Sequence, residues 1–540
     1  MYDLLVRGAQ VVDGSGQPAF VGDVGVIGER IVAVGASLEG TARRVFDAAH
    51  QVVAPGFVDA HTHDDLVVMR QHVAVPKVQQ GITTLVIGNC GFSMAPSVPQ
   101  YGQALQDYAA AVLGTDDESW DWPTVGAFLA TLSKQSLGQH VCALLGHTAL
   151  RVAVMGFESR PASEQELLAQ ESLLAEAMQS GAAGLSLGLM YVPGMYTPTT
   201  ELVRLARVVS RYGGVVTSHM RGEGDQMLAS LDEMISLAEQ AEVAVHISHL
   251  KIIGRRNWGS IGRALERIVD ARARGLSITV DMYPYTAGST TITQILPPWL
   301  LEGGLAQTLR SLQDASVRQR VCRDFAHGLP GWENQVEMLG WERIVLASMQ
   351  QESNRALEGL SIAEAATRLA LTPEETLFRL LLEEEGRITI VVFSMDEHDV
   401  DQVIQSSFAM IGSDGLPLRS GRPHPRLYGT FPRYLRRYVR ELKSLQLEEA
   451  IHKITAFPAA RFGIADHGLI QEGNVADLVI FDPEHIGDRA TYDEPQRYPD
   501  GIAAVIVAGR SVVLVNQLQP DRPGHLIASS SQDRLSDQAR

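Results

Sequence analysis

The strongest constraint on this chain is a series of eight short apolar runs, alternating with longer stretches of helical pattern and carrying polar residues at their C-terminal ends. They are VVAPGFVDAH from Val52, TTLVIGNC from Thr83, HVCALLGH from His140, GAAGLSLGL from Gly181, GVVTSHM from Gly214, VAVHISHL from Val243, LSITVDMYPY from Leu276 and FAMIGSDG from Phe408. Strands that alternate with helices imply a mainly parallel sheet of βα units. Eight of them predict an α/β fold, a TIM-like (β/α)8 barrel, which places its chemistry at the C-terminal strand ends.

The two ends of the chain read differently. Residues 1–54 hold Val-rich runs broken by Gly and Asp-Gly, and the same texture returns in NVADLVIFDP from Asn474 and GIAAVIVAGRSVVLVNQ from Gly501. Short antiparallel strands with tight turns follow from that pattern. The termini, 1–54 and 461–528, are therefore expected to pair into a small β-sandwich, with the barrel, 55–460, inserted between its halves. The link between the seventh and eighth runs, about 290–407, is too long for one helix, and predicts an inserted subdomain that either lids the barrel mouth or stands at its periphery. Residues 529–540, polar and without apolar periodicity, read as a disordered tail.

Composition excludes several function classes. A net charge of -18 leaves no basic patch for a polyanion, so a nucleic-acid partner is not expected. No stretch approaches the roughly 20 apolar residues of a membrane span, and Met1 to Gly8 reads as a first strand rather than a secretory signal. Cys90, Cys142 and Cys322 are too few and too scattered for a disulfide framework, which suits a reducing, cytoplasmic setting.

The strand ends carry the chemistry. His61 and His63 close the first run, and residues i and i+2 of an extended segment face the same side. His219 ends the fifth run and His249 the sixth, so neighbouring strands would bring them together near Cys90 at the end of the second. Thiolate and imidazole suit Zn²⁺, and three protein ligands leave a position open for water. Asp414, closing the eighth run, is placed to act as general base. Each residue also has an ordinary reading: a lone His-x-His serves structural and surface roles, a lone cysteine is most often a small buried hydrophobe, and Asp before Gly415 suits an Asx turn. His246 is expected to face away from His249 and pack in the core, and His147 to support the site from behind. Cys142 and Cys322 are expected to be structural.

The blocks GFVDAHTHDD, GITTLVIGNCGFS, GHTALR, GLSLGLMYVPG, SHMRGE, HISHLKIIGRRNWG, DMYPYTAGST, MIGSDGLP and RPHPRLYGTFPRYL, in this order, resemble the N-acyl-D-amino-acid deacylase (D-aminoacylase) family of the amidohydrolase superfamily. The resemblance implies one tightly held zinc on Cys90, His219 and His249, and a second, weaker metal position at His61 and His63. It also implies a clamp for the substrate's α-carboxylate at Lys251, Tyr283, Ser289 and Arg426. Taken alone, Lys251 and Arg426 read equally as solvated charge. The fourth strand lacks the lysine that bridges two metals in many other amidohydrolases, which favours the cysteine variant.

The expected reaction is zinc-dependent hydrolysis of the amide of an N-acyl-D-amino acid, a small-molecule substrate, with Asp414 moving the proton. The preference for D substrates rests on the resemblance. A dipeptidase releasing C-terminal D-residues and a cyclic-amide hydrolase are the neighbouring alternatives, and a non-catalytic binding protein should have lost ligands that are present here. Met190, Tyr191 and Met195 stand beside the fourth strand end as an apolar side-chain pocket.

Overall fold

The protein is described by a computed structural model covering residues 1–418 and 421–529. The eight runs become Phe57–Asp59, Ile82–Ile87, His140–Ala143 (continued as Leu145–Gly146), Gly184–Gly188, Val215–His219, Ala244–Ile247, Ile278–Met282 and Ala409–Ile411. Each strand pairs in parallel with the next. A parallel bridge from Thr62 to Gly415 joins the eighth strand back to the first. Ile82–Ile87 is buried at every position. That explains why its only polar residues are the two small threonines Thr83 and Thr84: a barrel strand faces side chains inside and helices outside. The helices meet their expected rules. Glu164–Gln179 opens with a Ser163/Glu166 capping box, and Thr199–Arg211 buries Leu202, Leu205, Val208 and Val209 on one face.

The termini form one continuous nine-stranded sheet. Tyr2–Val11 lies antiparallel to Phe20–Ile27 and parallel to Ala42–Asp47 and Val52–Pro55, and Val52–Pro55 joins Leu478–Phe481 of the C-terminal half. The sheet packs on a core of its own, made of Leu4, Val6, Val24, Val26, Val53, Leu478 and Ile506 from both ends of the chain.

Two boundaries differ from expectation. The excursion after the seventh strand carries an antiparallel sheet of Ala287–Thr291, Ile344–Ser348 and Thr389–Phe393 and ends by residue 395, not 407. The helix Glu397–Gln405 buries Val400, Val403 and Ile404 and packs on the last two barrel strands, so it belongs to the barrel. The terminal sheet stops at Leu518. Beyond Pro520 and Pro523 the chain returns to the barrel bottom, where Gly524 donates to the Leu137 carbonyl at 2.7 Å and Ile527 to that of Val141 at 2.8 Å. Ser529 still donates to Gly181, and the rest of the expected 529–540 tail lies outside the described residues.

At that bottom end a polar staple joins barrel to sheet. His140 Nε2 lies 3.0 Å and His467 Nδ1 2.6 Å from the two oxygens of Asp477. His140 Nδ1 accepts from the His525 N–H at 3.3 Å, so the ring proton sits on Nε2 and is donated to Asp477. The group is thus a closed hydrogen-bond network. Among the described residues no helix is long and apolar enough to cross a membrane.

Candidate metal centre

At the C-terminal end of the barrel, the backbone departs from extended geometry at the residues singled out by the sequence. Cys90, His249 and Asp414 have φ of +53°, +35° and +49°. Non-glycine residues seldom adopt this left-handed region, and where they do they cluster at sites the surrounding fold over-determines. Around Cys90 the GNCGFS glycines make this feasible. A Cβ on Gly88 would lie 2.2 Å from the Leu144 carbonyl, and one on Gly91 would lie 2.9 Å from the Gly188 nitrogen. Only glycine lets the second strand's end approach the third and fourth so closely.

The donor atoms of Cys90, His219 and His249 lie within 4.8 Å of one another, as do those of His61, His63, Cys90 and Asp414. Cys90 belongs to both groups: its Sγ is 3.2 Å from His61 Nε2 and 3.5 Å from His249 Nε2. Asp414 Oδ1 lies 3.2 Å from His63 Nε2 and 3.4 Å from His61 Nε2. All six side chains are buried.

The set fits a soft to borderline divalent cation. Neither ring nitrogen of buried His219 has a hydrogen-bond partner, and His63 Nδ1 also lacks one. Buried polar atoms left this way mark a missing partner. The charges agree. Burial pushes the Cys90 thiol up, yet His61 and His249 outweigh it and hold the thiol well below its usual range. Burial disfavours a charged His61, but Cys90, Asp281 and Asp414 raise it well above the ordinary value. Burial and Lys251 lower His249, while Glu223 and Cys90 bring it to about 9. In this geometry the imidazoles act as counter-charge for a cluster of anions, a role a cation fills better.

The centre opens on a cleft that Lys251, Tyr283, Ser289 and Arg426 also line. Arg426 is fully buried; its Nη1 pairs with Asp414 Oδ2 at 2.9 Å, and its guanidinium stacks 4.5 Å from the Tyr283 ring centroid. The Tyr283 hydroxyl is buried without a partner. Lys251 Nζ donates to Glu223 at 2.7 Å and lies 2.7 Å from His249 Nδ1, so it is a paired, buried charge. The Ser289 hydroxyl donates to the Ile390 carbonyl at 2.9 Å and would serve a substrate only by leaving that bond.

Some expectations need correction. His246 is buried in the core as expected, but it does not face away from His249's side of the strand. The strand ends at Ile247 and the left-handed His249 reverses the direction, so His246 points into the barrel, 2.8 Å from Asp281. His147 is buried but absent from both donor groups and the cleft wall. Burial, with Arg151 and Arg221, lowers its pKa to about 3. Met190 and Tyr191 line the cleft; Met195 does not. Cys142 lies buried in the third barrel strand and Cys322 half-buried on a helix of the excursion.

Two residues went unnoticed in the sequence. Asp281 lies 3.2 Å from His61 Nδ1 and accepts the His249 N–H at 3.0 Å, and Glu223 lies 3.1 Å from His249 Nδ1. Both orient imidazoles from behind, as carboxylates do in metal sites. Their one signal was position, at or just beyond a strand end in VDMYPY and SHMRGE. The excursion also reaches the mouth: Gln335 lines the cleft, and the Glu333 carboxylate accepts the N–H groups of Glu223, Gly224 and Gln226.

Comparison with known proteins agrees with this architecture. Residues 44–513 match the model of the amidohydrolase family. The chain is 35% identical to a D-aminoacylase of Alcaligenes xylosoxydans xylosoxydans over 98% of both chains. It is 36% identical to an N-acyl-D-glutamate deacylase of the same organism, over 97% of this chain and 96% of the other. Among solved structures, the N-acyl-D-glutamate deacylase of Bordetella bronchiseptica, complexed with zinc and a phosphonate mimic of the tetrahedral intermediate, superposes with a TM-score of 0.83 at 34% identity, over 98% of this chain and 99% of that one. This chain therefore belongs to the amidohydrolase family, in its N-acyl-D-amino-acid deacylase branch.

Proposed function

We propose that the protein is a zinc-dependent hydrolase of N-acyl-D-amino acids, releasing a carboxylic acid and a free D-amino acid. The observation that carries this is one buried mouth where a Cys/His/His group and a His/His/Asp group share Cys90, facing a fully buried arginine and a tyrosine with an unpartnered hydroxyl. Cys90, His219 and His249 would hold the tighter zinc, and His61, His63 and Asp414, with Cys90, a weaker second position. Bound there, Zn²⁺ supplies Lewis acidity that polarises a carbonyl and acidifies a water.

The chain's own residues do the rest. Asp414 Oδ1, facing the two histidines, takes the proton of the attacking water and returns it to the leaving amine nitrogen. Burial pushes the Asp414 carboxyl up, but Arg426 and His61 hold it well below its usual range, so it is ionised and ready to accept. Arg426 offers the α-carboxylate charge-assisted hydrogen bonds, the Tyr283 hydroxyl adds a donor beside it, and Lys251 supplies a second positive charge. Together they fix the substrate's carboxylate end, so that its amide meets Asp414 in one orientation.

The test is amino-acid release from paired N-acetyl-D and N-acetyl-L substrates (Met, Leu and Glu), with a D-dipeptide and a hydantoin alongside, using zinc-reconstituted enzyme. Release from the N-acetyl-D forms alone is expected. Turnover restricted to the dipeptide or the hydantoin would overturn the reading.

A further inference from the structure

Just behind the metal centre lies a charged group that the reaction does not use. Lys77, on the short helix Val75–Val78, is completely buried. Its Nζ donates to Asp59 Oδ2 at 2.8 Å, to Thr62 Oγ1 at 2.9 Å and to Ser413 Oγ, with Asp64 Oδ2 at 3.4 Å. Asp59 Oδ1 in turn accepts the Ser413 N–H at 2.8 Å and the His61 N–H at 3.3 Å. The Ser413 hydroxyl accepts the Gly415 N–H at 3.2 Å, and the Asp414 N–H donates to the His61 carbonyl at 2.8 Å.

These partners are the sequence neighbours of the site. Thr62 stands between His61 and His63, Asp64 follows His63, and Ser413 and Gly415 flank Asp414. Among the described residues the first and eighth strands meet here through one β-bridge, Thr62–Gly415, where Asp414 is held in the left-handed region. So few ladder bonds do not define the spacing of two strand ends, and a buried, fully partnered ammonium does. The space is closed as well: a Cβ on Gly415 would lie 2.9 Å from Lys77 Nζ. Lys77 lines neither the cleft nor either donor group.

We propose that Lys77 is a positioning residue whose ammonium clamps the end of the first barrel strand to that of the eighth, setting the distance between the His61/His63 pair and Asp414. It affects proton transfer and the second metal position, and leaves substrate binding and the Cys90/His219/His249 group alone. The activity readout rests on the deacylase reading, while the metal readout does not.

The experiment compares wild type with Lys77→Met, with the charge-neutral double variant Lys77→Met/Asp59→Asn, and with Ser413→Ala. Steady-state kinetics on N-acetyl-D-methionine are measured beside zinc uptake by equilibrium dialysis. Shifting supporting groups behind metal ligands typically costs about 10- to 100-fold. We expect kcat of Lys77→Met to fall by about that factor with KM within about 3-fold, and affinity for the second zinc equivalent to drop about 10-fold or more with the first unchanged. The double variant covers the case in which the lone Asp59 charge prevents folding, and Ser413→Ala, which keeps both charges, should show the same pattern more weakly. A folded variant with at least half the wild-type kcat and unchanged zinc uptake would overturn the proposal, as would KM rising in step with the loss of kcat. A wild type that releases no amino acid from any N-acetyl-D substrate overturns the deacylase reading instead, and zinc uptake alone then decides the role of Lys77. A wild type that binds one equivalent and hydrolyses nothing overturns both.

Discussion

Replacing Asp414 by asparagine separates the carboxylate's chemistry from its place in the fold. The backbone at Asp414 has φ of +49°, a region asparagine tolerates far better than most residues. The variant therefore keeps the local conformation while removing the proton acceptor that lies 3.2 Å from His63 and 3.4 Å from His61. General acid–base catalysis contributes about 10²–10⁴-fold, and at about 1.36 kcal/mol per decade kcat should fall by an amount worth about 3–5 kcal/mol. Stability should fall too. Arg426 loses its 2.9 Å partner and keeps only the Ser289 carbonyl at 3.1 Å and the Tyr283 ring. Unpairing a buried charge costs about 3–5 kcal/mol, which the amide oxygen, still an acceptor, partly offsets. Asp414→Ala adds left-handed strain of about 1–2 kcal/mol and should melt below Asp414→Asn. The assay is steady-state release of D-methionine, with bound zinc and thermal melts measured on the same preparations. Asp414→Asn retaining more than half of the wild-type kcat with zinc in place would refute the assignment of the base.

Two further outcomes are expected. Because Cys90 belongs to both donor groups, Cys90→Ala should lose at least one equivalent of zinc on dialysis and most activity with it; elemental analysis showing the full wild-type complement would contradict the shared-ligand geometry. In the bottom staple, burial pushes the Asp477 carboxyl up, but His140 and His467 outweigh it and hold it well below the usual carboxylate range in the folded state. A depressed carboxylate stabilises the fold above its unfolded pKa, and that contribution is lost as pH falls through the folded value. Asp477→Asn should therefore cost about 3 kcal/mol near pH 7, and calorimetric melts should show the gap narrowing below about pH 4. A gap that widens on acidification would disprove the sign.

The site was legible where chemistry and local periodicity coincide. His61 and His63 could be paired because two-residue spacing in an extended segment has one geometric meaning, and Asp414 because its run ends there. His246 was misplaced for the same reason: alternation was carried through a backbone that turns left-handed at His249. Asp281 and Glu223 escaped notice because a carboxylate behind an imidazole carries no local pattern, and its partners lie on other strands.

The sequence by itself determined the barrel, since eight buried strands require eight short, mainly apolar runs, and the terminal sheet, since Val-rich hairpins announce themselves through their turns. It also determined which residue types could hold a metal. Only the tertiary structure decided that Cys90 stands between two donor groups, that Arg426 rests on Asp414, and that Lys77 ties the first strand to the eighth. These depend on how barrel closure and the turns at the strand ends bring side chains from different segments together, which no local spacing records.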